Sequence, residues 1–274
     1  MRVENLDAKY SSDGPLVLKE VNFTIKSGER VGVGKFFPQL QSVFSQAKPS
    51  FPVGRTGSGK SSLTLSLLRC IFTSGHVFYD GLDTGKLNLD ALRGNITIIP
   101  QQPELLSGSL RLNLDPFEQH DDAYLNDALR ASGLFKLQEE SEEGRITLDT
   151  PISSGGGNLS LGQRQIIALA RAITRRSKIL ILDEATAAVD YETDTVIQES
   201  IRRELQDVTL ITVAHRLRTI MDADKIMVLD SGRLVEFDTP KELLKKKGGL
   251  LRSLVDESAD KDELIAMTEG PARS

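Results

Sequence analysis

The sequence predicts an α/β domain in which a parallel sheet is interrupted in sequence by a helical block. Short unbroken apolar runs at 179–182, 209–214 and 226–229 are typical of strands buried in a parallel sheet. Helical periodicity separates these runs, and a mainly helical pattern covers residues 103–176. Shorter alternating runs come before the helical block, so the chain is expected to begin with a β-rich segment.

The N-terminal elements are predicted from alternation and turn residues. Residues 2–9 and 17–25 alternate between apolar and polar side chains, which predicts two strands. The Ser/Asp/Gly/Pro cluster at 11–15 predicts the turn between them. A further strand is expected at 30–33.

A helix is expected to begin near Lys60, because apolar residues recur at helical spacing from there as far as Cys70. Cys70 is therefore expected to lie on the packed face of that helix as a small apolar residue. Residues 77–79 and 96–99 are predicted to form strands.

Two helix starts carry capping signals. Ser160 and Gln163 form an S-x-x-Q capping box at the start of a long helix with one apolar face. Thr239 is the predicted N-cap of a later helix, with proline at the first helical position and Glu242 completing a second capping box. The charged C-terminal tail, 256–274, is expected to be frayed.

Composition excludes several classes of protein. The 274-residue chain is 39% hydrophobic and 27% charged with a net charge of −5, which is ordinary for a globular protein and unfavourable for binding nucleic acid or anionic lipid. Its single cysteine forms no internal disulfide and no cysteine metal cluster. No N-terminal stretch resembles a signal peptide. The apolar runs are far shorter than the about 20 residues of a membrane span, so any role at a membrane depends on a partner.

The strongest motif is GRTGSGKS at 54–61, which fits G-x-x-x-x-G-K-[ST]. Its glycines let backbone N–H groups point at phosphate oxygens, Lys60 places a charge on the β- and γ-phosphates, and the Ser61 hydroxyl is a ligand for Mg²⁺. A Gly/Ser-rich surface loop with a chance lysine is the alternative, and the periodic helix after Lys60 argues against it. The predicted ATP-binding residues of this segment are Gly54, Arg55, Thr56, Gly57, Ser58, Gly59, Lys60, Ser61 and Ser62.

The second motif is the apolar strand at 178–182, which ends in Asp183 and Glu184. The carboxyl ends of strands in an open α/β sheet line the ligand crevice. Asp183 is therefore placed to hold Mg²⁺ through water, and Glu184 to polarise the water that attacks the γ-phosphate. Such a strand end is common by itself, but it becomes a strong signal together with the phosphate-binding loop.

The third motif is NLSLGQRQ at 158–165, which follows three glycines. A glycine-flanked helix N-terminus suits an anion, although a plain capped helix is an equally open interpretation from physics alone. LSLGQ resembles the signature LSGGQ of ABC transporter nucleotide-binding domains. The resemblance assigns this signature to Leu159, Ser160, Leu161, Gly162 and Gln163, which act on the ATP of a partner site. Leu161 stands where the family has glycine, so that partner site is expected to be slower.

The same resemblance assigns four further positions. Gln101 matches the Q-loop glutamine, a Mg²⁺ ligand that senses the γ-phosphate and contacts the transporter's coupling helices. Asp190 lies in the D-loop, His215 matches the switch histidine, and Tyr10 matches the aromatic residue that stacks on adenine. A lone tyrosine is usually surface packing and a lone histidine is usually structural, so both assignments depend on the ordered set. The implied fold over 1–255 is a P-loop NTPase sheet core with an inserted helical subdomain and an N-terminal antiparallel β subdomain.

Longer phrases at 108–117, 182–190 and 214–232 are similar to the multidrug-resistance-associated C subfamily, and within it to the second, C-terminal cassette. The resemblance implies an ATPase that powers an exporter at the cytoplasmic face of a membrane. Its implied partners are a second cassette, in a head-to-tail dimer, and the transmembrane domains of the same transporter. A soluble ABC ATPase of repair or translation is disfavoured, because no coiled coil, iron–sulfur cysteines or basic surface is visible.

One segment departs from the family pattern. Residues 34–52 separate the strand at 31–33 from Val53, and they are rich in Phe and Pro and contain no Asp or Glu. A retained intron is one explanation, because Gly34 and Lys35 can be encoded by a splice-donor-like GGTAAG. A genuine loop insertion is the other. We expect the segment to be looped out, and a cassette impaired in ATP binding is the alternative to an active ATPase.

Overall fold

The computed structural model describes the chain in five stretches. They divide by their contacts into a first unit, made of Met1–Leu89 and Thr212–Ser274, and a second unit, Asp90–Ile211. The described residues are 1–35, 59–138, 145–185, 188–214 and 216–269.

An antiparallel sheet with the strand order β2-β1-β4-β5 begins the first unit. Val3, Leu6 and Ala8 of the first strand are buried, as the apolar alternation predicts. The turn predicted at 11–15 lies between the first two strands, so the N-terminal antiparallel β subdomain is confirmed. The strands are β1 (Arg2–Lys9), β2 (Leu18–Thr24), β4 (Phe72–Tyr79) and β5 (Leu82–Asp83).

The first unit also contains β3 (Arg30–Lys35), β11 (Lys225–Asp230) and β12 (Arg233–Asp238). β3 and β11 are parallel, and β12 returns antiparallel to β11. The expectation that 34–52 is looped out is wrong at its start, because Gly34 and Lys35 continue β3 and pair with β11. Neither residue is a proline, so each extends the ladder as well as the expected Val53 would. Residues 36–52 lie outside the described part of the chain.

The helix expected near Lys60 is α1 (Lys60–Leu67). Its apolar residues Leu63 and Leu67 are buried. The prediction for Cys70 is wrong, because the helix ends before this residue and its side chain is exposed. The reason is local: Arg69 adopts a φ of 52°, which turns the chain out of the helical path.

Three helices follow β12: α7 (Pro240–Lys245), α8 (Leu250–Asp256) and α9 (Lys261–Met267). Thr239 caps α7 as predicted, since its side chain accepts a bond from the Glu242 amide. The reciprocal half of that capping box is absent among the printed bonds of the described residues: the Glu242 carboxylate pairs with Lys245, and the Thr239 amide donates to Asp238 instead.

The C-terminal tail is more ordered than predicted. α9 lies within the residues expected to fray, and its Leu264 is only 2% exposed. Leu264 belongs to an apolar cluster with Leu251 and Val255 of α8, so burial of one leucine offsets the ordering cost of a charged segment. Across the described residues no helix has the length and apolarity that crossing a bilayer requires.

In the second unit, β9 lies between β10 and β6. β6 and β9 are parallel, as the apolar runs predict. The helical block predicted at 103–176 is confirmed, with a short β7–β8 pair inside it. The elements are α2 (Leu89–Gly94), β6 (Ile96–Ile99), β7 (Gly108–Ser109), α3 (Leu110–Leu114), α4 (Asp122–Ala131), β8 (Pro151–Ile152), α5 (Leu161–Arg175), β9 (Ile179–Asp183), α6 (Tyr191–Glu204) and β10 (Thr209–Val213).

The core of the second unit forms around α5. Ile166, Leu169 and Ala170 on its apolar face are each at most 1% exposed and share one cluster with Leu180 and Leu182 of β9. The signature segment at the start of α5 is therefore carried by a helix whose apolar face is fixed in a packed core.

Candidate active site

The N-terminus of α1 is shaped by a glycine that no other residue can replace without strain. Gly59 is the N-cap with a φ of 94°. A Cβ atom at this position would lie 2.8 Å from the Cδ2 atom of Leu18, closer than real contacts allow. Glycine supplies no side-chain acceptor to the first-turn amides, so the start of the helix keeps N–H groups that suit a phosphate.

Lys60 is buried at the first position of α1, with 6% of its surface exposed. Its Nζ donates to the carbonyl oxygen of Ala214 over 3.3 Å. The Ala214 amide in turn donates to the Val33 carbonyl over 3.1 Å. The phosphate-binding lysine therefore reaches the residue directly before His215.

Tyr10 and Ser62 join the end of β1 to the first turn of α1. The Tyr10 hydroxyl and the Ser62 Oγ are 3.0 Å apart. Tyr10 is 56% exposed, whereas Ser62 is 6% exposed. Because the hydroxyl is anchored while much of the ring is open, Tyr10 suits a stacking surface for a flat base.

Asp183 and Glu184 lie at the carboxyl end of β9 in the second unit. Asp183 is the last residue of the strand and is half-buried. Glu184 follows with a φ of 54°, which an L residue with a Cβ seldom adopts. Such strain clusters at functional positions, where the surrounding structure holds the residue in place.

Gln101 is brought to the same edge of the sheet as these carboxylates. β6 and β9 are parallel and pair Ile99 with Leu182. Gln101 follows β6 by two residues and is exposed. Since parallel strands end at one edge, the structure confirms that the sequence places Gln101 and Asp183 after neighbouring strand ends.

Two residues near Gln101 escaped the sequence analysis. Gln165 and Arg171 of α5 both donate to backbone carbonyl groups in the segment that follows β6. The signal available in the sequence was a glutamine next to the apolar face of a helix, where a buried polar group needs a specific partner.

The capping box at the start of α5 is present as predicted. The Ser160 Oγ accepts from the Gln163 amide over 3.1 Å, and the Gln163 Oε1 accepts from the Ser160 amide over 2.9 Å. The box uses neither the amide of Leu161 nor that of Gly162. Leu161 is not among the residues with positive φ, so replacing the family's glycine adds a side chain without backbone strain.

Gly162 and Asp190 meet through Thr193 of α6. A Cβ at Gly162 would lie 2.8 Å from the Thr193 Cγ2 atom, so only glycine allows this approach of the two helices. The Asp190 carboxylate caps α6 by accepting from the Thr193 amide over 2.9 Å. That bond, followed by a bond from the Thr193 hydroxyl, lowers the pKa of Asp190. The signature and D-loop segments are therefore in direct contact.

Several predicted site residues lie outside the described part of the chain. They comprise most of the phosphate-binding loop, part of the D-loop and the switch histidine. These residues are Gly54, Arg55, Thr56, Gly57, Ser58, Ala187 and His215.

The described oxygen donors fit a hard cation. Ser61 presents an exposed hydroxyl in the first turn of α1, and Asp183 a half-buried carboxylate at a strand end. Mg²⁺ is usually held by one or two such protein oxygens together with water and substrate phosphates. The described residues contain no cluster of three His, Cys, Asp or Glu side chains, and a phosphate-bridged Mg²⁺ site needs none.

Comparison with known proteins agrees with these features. Residues 46–187 match the family described as ABC transporter. The rat ATP-binding cassette sub-family C member 2 is 47% identical over 249 residues, which are 90% of this chain and 15% of the rat protein. The human ATP-binding cassette sub-family C member 4 is 44% identical over 266 residues, which are 97% of this chain and 18% of the human protein.

A solved structure, that of a bacterial Atm1-family ABC exporter with ATP bound, resembles the chain with a TM-score of 0.78 and 27% identity. The match covers 94% of this chain and 42% of the exporter chain. The chain thus spans a small fraction of the length of the curated relatives it matches. It belongs to the ABC transporter family, and its relatives place it with the C subfamily, whose nucleotide-binding domains are ATPases.

Proposed function

We propose that the chain binds and hydrolyses MgATP as the motor of a larger C-subfamily exporter, in the position of the second, C-terminal cassette. The observation that carries the proposal is the pair of neighbouring parallel strand ends that present Gln101, Asp183 and Glu184. A carboxylate held at a positive φ beside a polar amide suits the activation of a water molecule.

Each binding residue has a distinct role in this proposal. The loop 54–61 surrounds the phosphates with N–H groups, and Lys60 adds a positive charge to the β- and γ-phosphates. Tyr10 stacks on adenine. Ser61, Gln101 and Asp183, the last through water, hold Mg²⁺, which neutralises phosphate charge when bound.

Glu184 is the general base in the proposed reaction. It accepts the proton of the attacking water, whose oxygen bonds to the γ-phosphorus while the bond from that phosphorus to the ADP oxygen breaks. His215 contacts the γ-phosphate, and Gln101 senses it.

The proposed partners are a second cassette and the transmembrane domains, at the cytoplasmic face of a membrane. The capped start of α5 supports the cassette pairing, because its amides at Leu161 and Gly162 are not used by the capping box and suit the γ-phosphate of a partner's ATP. Specific ATPase activity is therefore expected to rise with chain concentration. A full specific rate in dilute monomer contradicts this pairing.

Replacing Glu184 with Gln tests the general base. The change keeps the side-chain size and removes the proton acceptor, so ATP affinity is expected to stay nearly constant while turnover falls by ~10²-fold or more. Glu199→Gln is the matched control, because that carboxylate is exposed and pairs with Lys136 on the surface. If Glu184→Gln turns over at the rate of the Glu199→Gln control, the base lies elsewhere.

A cassette impaired in ATP binding is the second candidate function. It is favoured by the observation that Gly34 and Lys35 occupy the end of β3, where the family pattern has Val53 and Gly54. The phosphate-binding loop then starts after a longer connection instead of directly from a strand. An ATP titration of the chain with and without 34–52 distinguishes the two candidates.

A further inference from the structure

Gln165 is a polar residue buried in the helix that carries the signature segment. It lies five residues after Ser160 in α5 and is only 2% exposed. Its Nε2 atom donates to the carbonyl oxygens of Pro100 and Gln101, each over 2.9 Å. One side chain of α5 therefore holds the backbone of the residue that is proposed to sense the γ-phosphate.

The chemistry of the two contacts determines how the Gln165 amide is oriented. Both partners are carbonyl oxygens, which only accept hydrogen bonds, so the amide nitrogen must face them. The Oε1 atom is left buried with no hydrogen-bond partner among the described residues. An unpaired buried oxygen costs stability, and this cost offsets much of what the two donated bonds contribute. The residue is therefore better explained by geometry than by stability.

Arg171 fixes the far end of the same segment. It donates from Nη1 to the Glu104 carbonyl over 2.9 Å and from Nε to the Asn113 carbonyl over 2.7 Å. Its Nη2 also bonds to the Asn113 Oδ1 atom. With the far end held by Arg171, the contact of Gln165 at Pro100 and Gln101 decides where the near end lies against α5.

We propose that Gln165 is a positioning residue that couples Gln101 to the signature helix. The inference rests on the proposed ATPase function, in which Gln101 senses the γ-phosphate and Ser160 begins the helix that faces a partner's ATP. Because Gln165 binds the Gln101 backbone and not its side chain, it sets where the side chain starts and leaves its amide to the nucleotide.

Gln165→Leu removes both donors and the unpaired oxygen at similar volume. Pro100 and Gln101 are exposed, so water can bond to their released carbonyl groups and little stability is expected to be lost. Thr174→Val is the matched control on the same helix. Thr174 is 3% exposed, and its hydroxyl donates within the helix to Ala170, away from the 100–106 segment.

Hydrogen–deuterium exchange of the full chain tests the contact without requiring catalysis. In Gln165→Leu, amides in residues 101–106 are expected to exchange roughly tenfold faster, because two hydrogen bonds to that segment are lost. In Thr174→Val they are expected to exchange at the parent rate. Equal exchange in the two variants overturns the inference.

A double-mutant cycle on ATP turnover tests the functional role. Gln165→Leu is expected to lower kcat by about tenfold with little change in KM. If Gln165 acts through Gln101, the double variant with Gln101→Ala is no slower than Gln101→Ala alone. Multiplying effects overturn the positioning role. If the parent chain hydrolyses no ATP, the proposed function fails, and the exchange measurement alone decides the inference.

Discussion

The close approach of α5 and α6 at Gly162 makes a signed prediction about stability. Gly162→Ala adds a Cβ atom that would lie 2.8 Å from the Thr193 Cγ2 atom, so one of the helices must shift. Overpacking of this kind costs about 1–3 kcal/mol. Alanine gains at most about 1 kcal/mol in helix propensity. The expected net effect is a destabilisation of about 1–2 kcal/mol, obtained as the difference of these two terms.

Thr193→Ser supplies the matched background. It removes the Cγ2 atom and keeps both the hydroxyl and the amide that bonds to Asp190. The nearest remaining Thr193 atom would be Oγ1, 3.3 Å from the new Cβ, which asks for a shift of only a few tenths of an ångström. In the serine background Gly162→Ala is therefore expected to be neutral or slightly stabilising.

Urea unfolding of the parent, both single variants and the double variant measures the coupling. We expect a coupling free energy of about 1 kcal/mol or more between the two positions, with unchanged m-values. The reasoning is refuted if Gly162→Ala changes the free energy of unfolding equally in both backgrounds, or if it stabilises the parent.

Two further predictions concern Asp190 and the 34–52 segment. Asp190→Ala is expected to cost about 1 kcal/mol at neutral pH through loss of the N-cap, reduced by the exposure of the carboxylate. Because the folded pKa of Asp190 is lowered, this cost should be fully present above the ordinary carboxyl pKa of about 4 and vanish as the pH falls through the folded value; a cost that persists unchanged in acid contradicts the capping account. Deleting 34–52 places Val53 and Gly54 after Val33 in β3 and should raise both the melting temperature and ATP affinity, and equal values in a thermal melt and an ATP titration argue against the second candidate function.

The sequence predicted best what is decided over a few residues. The capping box of Ser160 and Gln163 needs only one helical turn, and both of its hydrogen bonds form. The strands at 96–99 and 179–182 were found because burial on both faces requires unbroken apolar runs. The order of Gln101 and Asp183 at one sheet edge then followed from parallel topology.

What the sequence missed depended on competition between partners that lie at different distances along the chain. Glu242 had two possible partners, and a nearby lysine is bonded instead of the helix N-cap. Gln165 bonds to carbonyl groups some 64 residues earlier in the chain, which no local pattern encodes. Leu264 orders α9 because a remote apolar cluster accepts it, although the segment is charged and reads as a tail.

The positive φ of Glu184 separates what folding favours from what chemistry needs. In the left-handed region an ordinary L residue is disfavoured by about 1–2 kcal/mol, whereas glycine adopts it freely. Selection for a stable fold alone would therefore drift toward glycine at this position and lose the carboxylate without harming the domain. A glutamate kept where the backbone disfavours it is a record of selection acting on hydrolysis, and the last feature such a domain would keep if it only had to fold.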